Sequence, residues 1–112
     1  YIRCGHPPAM VRHVDGSVEL LEHGGSAPIG IERREVVEAR APLPSGSVLL
    51  AYTDGLVERR DESLDVGIER LRAAFAACPS EDPDVIVEYV IAECLGDRST
   101  NDDTAVLVIT LD

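Results

Sequence analysis

The stretch Val48-Leu49-Leu50-Ala51-Tyr52-Thr53-Asp54-Gly55 decides how the chain is read. Val48 to Tyr52 is apolar throughout, which suits a strand buried on both faces. An acid and a glycine stand at its mouth. The same pairing recurs in reverse order near the other end, where Asn101-Asp102-Asp103 comes just before the long apolar run Ala105 to Leu111. If these two strands are antiparallel neighbours, the end of the first and the start of the second share one sheet edge. Asp54 and Asp102 then converge.

Oxygen-rich clusters of this kind suit hard divalent cations such as Mn2+ or Mg2+, which prefer carboxylate and water ligands. Without a cation, neighbouring carboxylates repel and raise one another's pKa. Gly55 lets the chain leave the strand sharply and keeps the surroundings of a cation open. Asp and Asn at strand ends also act as turn formers by bonding their own backbone, and spacing alone leaves that reading open. Asp103 alternates to the other side of the strand, which fits a turn or supporting role. Asp97 and Arg98 read equally well as surface residues.

Working outward, Met10 to Val14 and Ser17 to Leu21 flank Asp15-Gly16, the pattern of a hairpin with a two-residue turn. A Gly- and Pro-rich loop follows from His23 to Gly30, and Glu35 to Ala39 is a further candidate strand. Pro42-Leu43-Pro44-Ser45-Gly46 then forces a turn. Beyond Asp54 the period changes. Ile68, Leu71, Phe75 and Cys78 form one apolar stripe at helical spacing. A second helix starts with Asp82 as N-cap and Pro83 in its first turn; Ile86, Tyr89, Val90 and Cys94 make its apolar face, and Gly96 offers the C-cap. No internal repeat or linker is visible.

With 112 residues, the chain has the length of one domain. Ten basic residues face 21 acidic ones, a formal charge of -11. Nucleic acid is excluded as a natural partner, since its binding rests on neutralising phosphates with Lys and Arg. Most of the acid lies after residue 53. Cys4, Cys78 and Cys94 show no Cys-x-x-Cys spacing, which argues against a disulfide framework or thiolate zinc site and for a reducing, cytoplasmic compartment. No apolar run approaches a membrane span. His6 reads as a buried residue holding its loop and His13 as pointing outward from the hairpin; neither neighbours a nucleophile. There is no Gly-x-Ser-x-Gly elbow, no phosphate-binding Gly-rich loop with a Lys, and no EF-hand spacing.

Cys4-Gly5-His6-Pro7-Pro8, the Asp15 to Leu21 segment, Gly24-Gly25 with Pro28-Ile29-Gly30, Leu43 to Glu58 and Asn101 to Val108 occur in an order that resembles the bacterial stage II sporulation protein E-like branch of the metal-dependent, type 2C (PPM) serine/threonine phosphatases. The resemblance runs from Gly5 to Leu111. It implies an α+β fold, part of a four-layer αββα sandwich of two antiparallel sheets flanked by helices. It also implies a two-metal Mn2+ or Mg2+ centre with Asp54 and Asp102 as metal ligands and catalytic residues. The implied chemistry is hydrolysis of phosphoserine or phosphothreonine by metal-activated water, with a phosphorylated anti-anti-sigma-type regulator as partner and an upstream sensor domain. Nothing here corresponds to the family's first-half Asp-x-x-Gly segment. Residues 1–112 are therefore expected to be the C-terminal half of a PPM-type domain, inactive alone, with an exposed sheet edge that favours dimerisation. A non-catalytic phosphoprotein-binding module of the same fold is the alternative.

Overall fold

Four antiparallel strands and two helices make up the regular structure of this computed structural model, which describes residues 1–31, 35–98 and 102–112. In chain order they are β1 (Met10–Arg12), β2 (Val18–Leu20), β3 (Val48–Tyr52), α1 (Leu64–Ala77), α2 (Pro83–Leu95) and β4 (Val106–Thr110). The sheet order is β2-β1-β3-β4. β3 and β4 pair antiparallel in the register Val48↔Thr110 to Tyr52↔Val106, which brings the end of one and the start of the other to a common edge.

The hairpin forms, but with a three-residue loop rather than the expected two. His13 N–H donates to Ser17 O at 2.9 Å and Gly16 N–H to His13 O at 2.9 Å, leaving Val14-Asp15-Gly16 as the loop. Gly16 has φ +85°, the left-handed residue that follows a type I turn in such loops. Asp15 completes it by accepting from Ser17 N–H and Ser17 O–H. These bonds to Ser17 hold the Asp15 carboxyl below the usual carboxylate range.

Both helices lie on one face of the sheet. Met10, Val48, Leu50 and Tyr52 from the strands meet Leu71, Phe75, Ile86, Val90 and Cys94 from the helices, all buried in one core. α2 begins as its sequence indicates: Asp82 accepts from Asp84 N–H at 2.9 Å and from Val85 N–H at 3.4 Å, with Pro83 in the first turn. Each bond satisfies an amide that the helix itself leaves without a partner. α1 ends against the sheet. Arg12, only 7% exposed, donates to Phe75 O, Cys78 O and Ser80 O, and its guanidinium lies 5.1 Å from the Phe75 ring centre.

Three further expectations are corrected. β3 and β4 are not buried on both faces: burial alternates along β3, and on β4 Leu107 is 56% and Ile109 42% exposed. Over β3 and β4 the helical face is the better covered one, and alternate residues are more open on the other, whereas β1 is buried throughout. Glu35 to Ala39 forms no strand; Val36 and Val37 are exposed, and the segment's described backbone pairing is the exchange between Ala39 and Tyr1. Its β-favouring composition finds no neighbouring strand to ladder with among the described residues. His6 is exposed, not buried, because the loop around it is held instead by backbone bonds such as His6 N–H to Arg3 O. His13 does lie outward, partly exposed, with Nε2 3.2 Å from Glu19 Oε2 across the hairpin.

Candidate metal centre

Tyr52 ends β3, and the chain then wraps into a single 3-10 turn, Asp54–Leu56. Val57 N–H at 3.0 Å and Glu58 N–H at 2.8 Å both donate to Asp54 O. This wrapping places Glu58 about one helical turn after Asp54, on the same side. From the other direction, Asp102 enters on the approach to β4. Carboxylate oxygens of Asp54, Glu58 and Asp102 all lie within 4.8 Å of one another, and all three residues are exposed.

Thr53 and Gly55 fix this approach. Thr53 Oγ1 donates to Asp103 O at 3.2 Å and accepts from Ala105 N–H at 2.9 Å, while Thr53 N–H donates to Ala105 O at 3.0 Å. Those bonds extend the β3–β4 pairing past its last ladder residue. At Gly55, a β-carbon would stand 2.6 Å from Asp103 O and 2.9 Å from Thr104 Oγ1. Only glycine lets the two segments pack at this separation.

Asp54 and Asp102, singled out in the sequence, are thus placed side by side. Asp102 Oδ1 also accepts from Asp103 N–H at 2.8 Å, so the turn-forming behaviour of such residues is present in the same side chain. Asp103 contributes its carbonyl to Thr53, and its carboxylate is not among the three that cluster. Asn101 lies outside the described residues. Glu58 is the residue that sequence reading missed; its signal is the four-residue spacing from Asp54 across a tight turn. Three carboxylates without sulfur or imidazole form a hard donor set that fits Mn2+ or Mg2+.

Behind the cluster, Cys94 is buried, and desolvation pushes its thiol up to about 11, against a smaller opposing effect of Arg70 and Arg59. Tyr52 is likewise raised by burial, and its hydroxyl has no partner among the described residues. Neither side chain is poised as a nucleophile at neutral pH.

The fold is a portion of the PP2C-type phosphatase domain. The phosphatase domain of SpoIIE from Bacillus subtilis, solved with a fragment of its regulatory domain, superposes with a TM-score of 0.72 at 24% identity, over 96% of this chain and 33% of that one. A Mn-presoaked structure of the same phosphatase domain gives 0.69 at 24% identity, over 97% and 48%. The RsbU and RsbW domains of Rv1364c from Mycobacterium tuberculosis give 0.85 at 27% identity, over 96% and 31%. The chain belongs to the stage II sporulation protein E (SpoIIE) family, whose model matches residues 1–112. It spans about a third to a half of the solved chains it matches.

Proposed function

We propose that this chain is the C-terminal half of a metal-dependent serine/threonine phosphatase domain, and that Asp54 and Asp102, with Glu58, supply one side of its metal centre. The observation that carries this reading is the meeting of three carboxylates within 4.8 Å at the β3–β4 edge of a SpoIIE-family chain. When bound, Mn2+ or Mg2+ supplies charge neutralisation and water activation for phosphate ester hydrolysis. The protein's part is positional. Thr53 and Gly55 lock the two acidic segments together, so that Asp54 and Asp102 meet a cation already oriented.

The open sheet face with Leu107 and Ile109 is where the second sheet of the sandwich packs in the complete domain. In the isolated chain that face, and the free side of edge strand β4, favour self-association. The proposed substrate is a phosphorylated anti-anti-sigma-type regulator, with sensor domains upstream and the reaction in the cytoplasm. No helix of the described residues is long and apolar enough to cross a membrane.

Hydrolysis of a phosphoserine peptide with Mn2+ tests the reading. A protein carrying this segment within a complete domain should turn the peptide over, and Asp54→Asn or Asp102→Asn should abolish turnover. The 112 residues alone should be inactive. Full activity in both Asn variants overturns the assignment.

A further inference from the structure

Glu58 and Asp102 of the cluster line a cleft of about 390 Å³ whose other charged lining residues are Arg59, Arg60, Asp61 and Arg98. Arg60 and Arg98 are exposed. Every other described arginine is engaged: Arg12 on three carbonyls, Arg3 on His23 O, Arg40 with Glu38, Arg59 on Cys94 O, Arg70 with Glu62 and Arg72 with Glu69. Arg60 and Arg98 have no such partner among the described residues, although acids outnumber bases by two to one in this chain. Two guanidiniums without a partner among the described residues, lining one cleft in so acidic a protein, are available to an external anion.

The chemistry selects the anion. A guanidinium is planar, permanently charged and suited to bidentate bonding of phosphate oxygens. Without a cation, the adjacent carboxylates repel a phosphate dianion. A cation held by those carboxylates reverses the local field and leaves the arginines to take the remaining oxygens. We infer that Arg60 and Arg98 form the anion-binding wall of this cleft and hold the phosphoryl group of the substrate beside the metal centre. This inference rests on the metal-centre reading above and adds the groups that receive the phosphate.

The test uses inorganic phosphate as the probe, titrated into the chain with and without Mg2+ and followed through the Arg Nε–H resonances. The Arg60 and Arg98 signals should shift, and the Arg60→Gln/Arg98→Gln double variant should bind phosphate at least about tenfold more weakly. Arg98→Lys, which keeps the charge without the fork, should fall between them. Mn2+ binding, read separately by water proton relaxation, should be unchanged in both variants. Equal phosphate affinity in wild type and double variant overturns the inference, as does phosphate binding too weak to detect in the wild type. Equal competition by acetate overturns the phosphate assignment in favour of a carboxylate partner. Failure of a complete domain carrying this segment to bind Mn2+ removes the metal-centre reading instead, whereas retained Mn2+ binding with no loss of phosphate affinity in the double variant removes only the role of the arginines. Both side chains are exposed, and far-UV circular dichroism checks that the variants fold.

Discussion

Gly55 and Asp103 approach so closely that a β-carbon on Gly55 would lie 2.6 Å from the Asp103 carbonyl oxygen. The glycine beside Asp54 is therefore the packing contact that admits the segment carrying Asp102. Gly55→Ala should push that segment away and weaken Mn2+ binding at least about tenfold, by analogy with the loss of groups that orient metal ligands. Water proton relaxation would show it; unchanged affinity would mean that the segments tolerate separation.

Removing a carboxylate should have opposite effects with and without metal. In metal-free buffer, Asp54→Asn or Glu58→Gln relieves like-charge repulsion and should raise Tm slightly. With saturating Mn2+, the wild type should gain Tm by mass action and the variants should gain less. Calorimetry in both buffers is decisive, and a variant that gains as much as the wild type would remove that residue from the metal's ligands.

How much of this was legible beforehand depended on how local the determinant is. The pairing of β3 with β4, the Asp82 cap and the two carboxylates could be read because each rests on a short run or a turn residue. Glu58 was hidden because its side depends on the 3-10 turn after Asp54. Arg12 was unreadable as a helix-end donor, since its carbonyl partners lie 63 to 68 residues away. Glu35 to Ala39 misled because β-propensity describes a surface to pack on and supplies no partner.

Arg12→Met should cost about 2–4 kcal/mol, because it strips donors from buried carbonyls at the end of α1. Arg12→Lys should recover part of that loss through charge without the planar fork. Urea unfolding measures both; a loss below about 0.5 kcal/mol for Arg12→Met would show that water replaces the guanidinium.

A β-carbon at Gly67, in the first turns of α1, would stand 1.9 Å from Val57 O, a backbone atom that cannot rotate away. Gly67→Ala ordinarily strengthens a helix by roughly 1 kcal/mol. Here the sign should reverse, with a net loss of about 2 kcal/mol or more as α1 is displaced from Val57. Chemical denaturation that shows a gain would refute this.

Alkaline pH should weaken the fold. The Cys94 thiol sits at about 11 in the folded chain, above its ordinary value of 9.0. From about pH 9 upward the unfolded chain releases this proton before the folded chain does, so stability falls as pH rises and the effect is complete above about 11. The Tyr52 hydroxyl, raised by burial in the same direction, extends the decline. The Cys94 contribution should reach about 1–2 kcal/mol. Cys94→Ala should flatten the pH 9 to 11 part of the curve, and an equally steep curve in that variant would exclude the thiol as its source.

The Thr53 hydroxyl bonds to a carbonyl 50 residues further along the chain. Bringing together segments that far apart carries a loop-closure entropy that grows only logarithmically with the intervening length. Whatever lengthens or shortens the path between β3 and β4, such as a changed helix or an inserted loop, should therefore alter the site's stability little if the two strands still meet. The acids are held by a meeting of strands, and the intervening chain can change in length provided that the helices keep the faces they bury against β3.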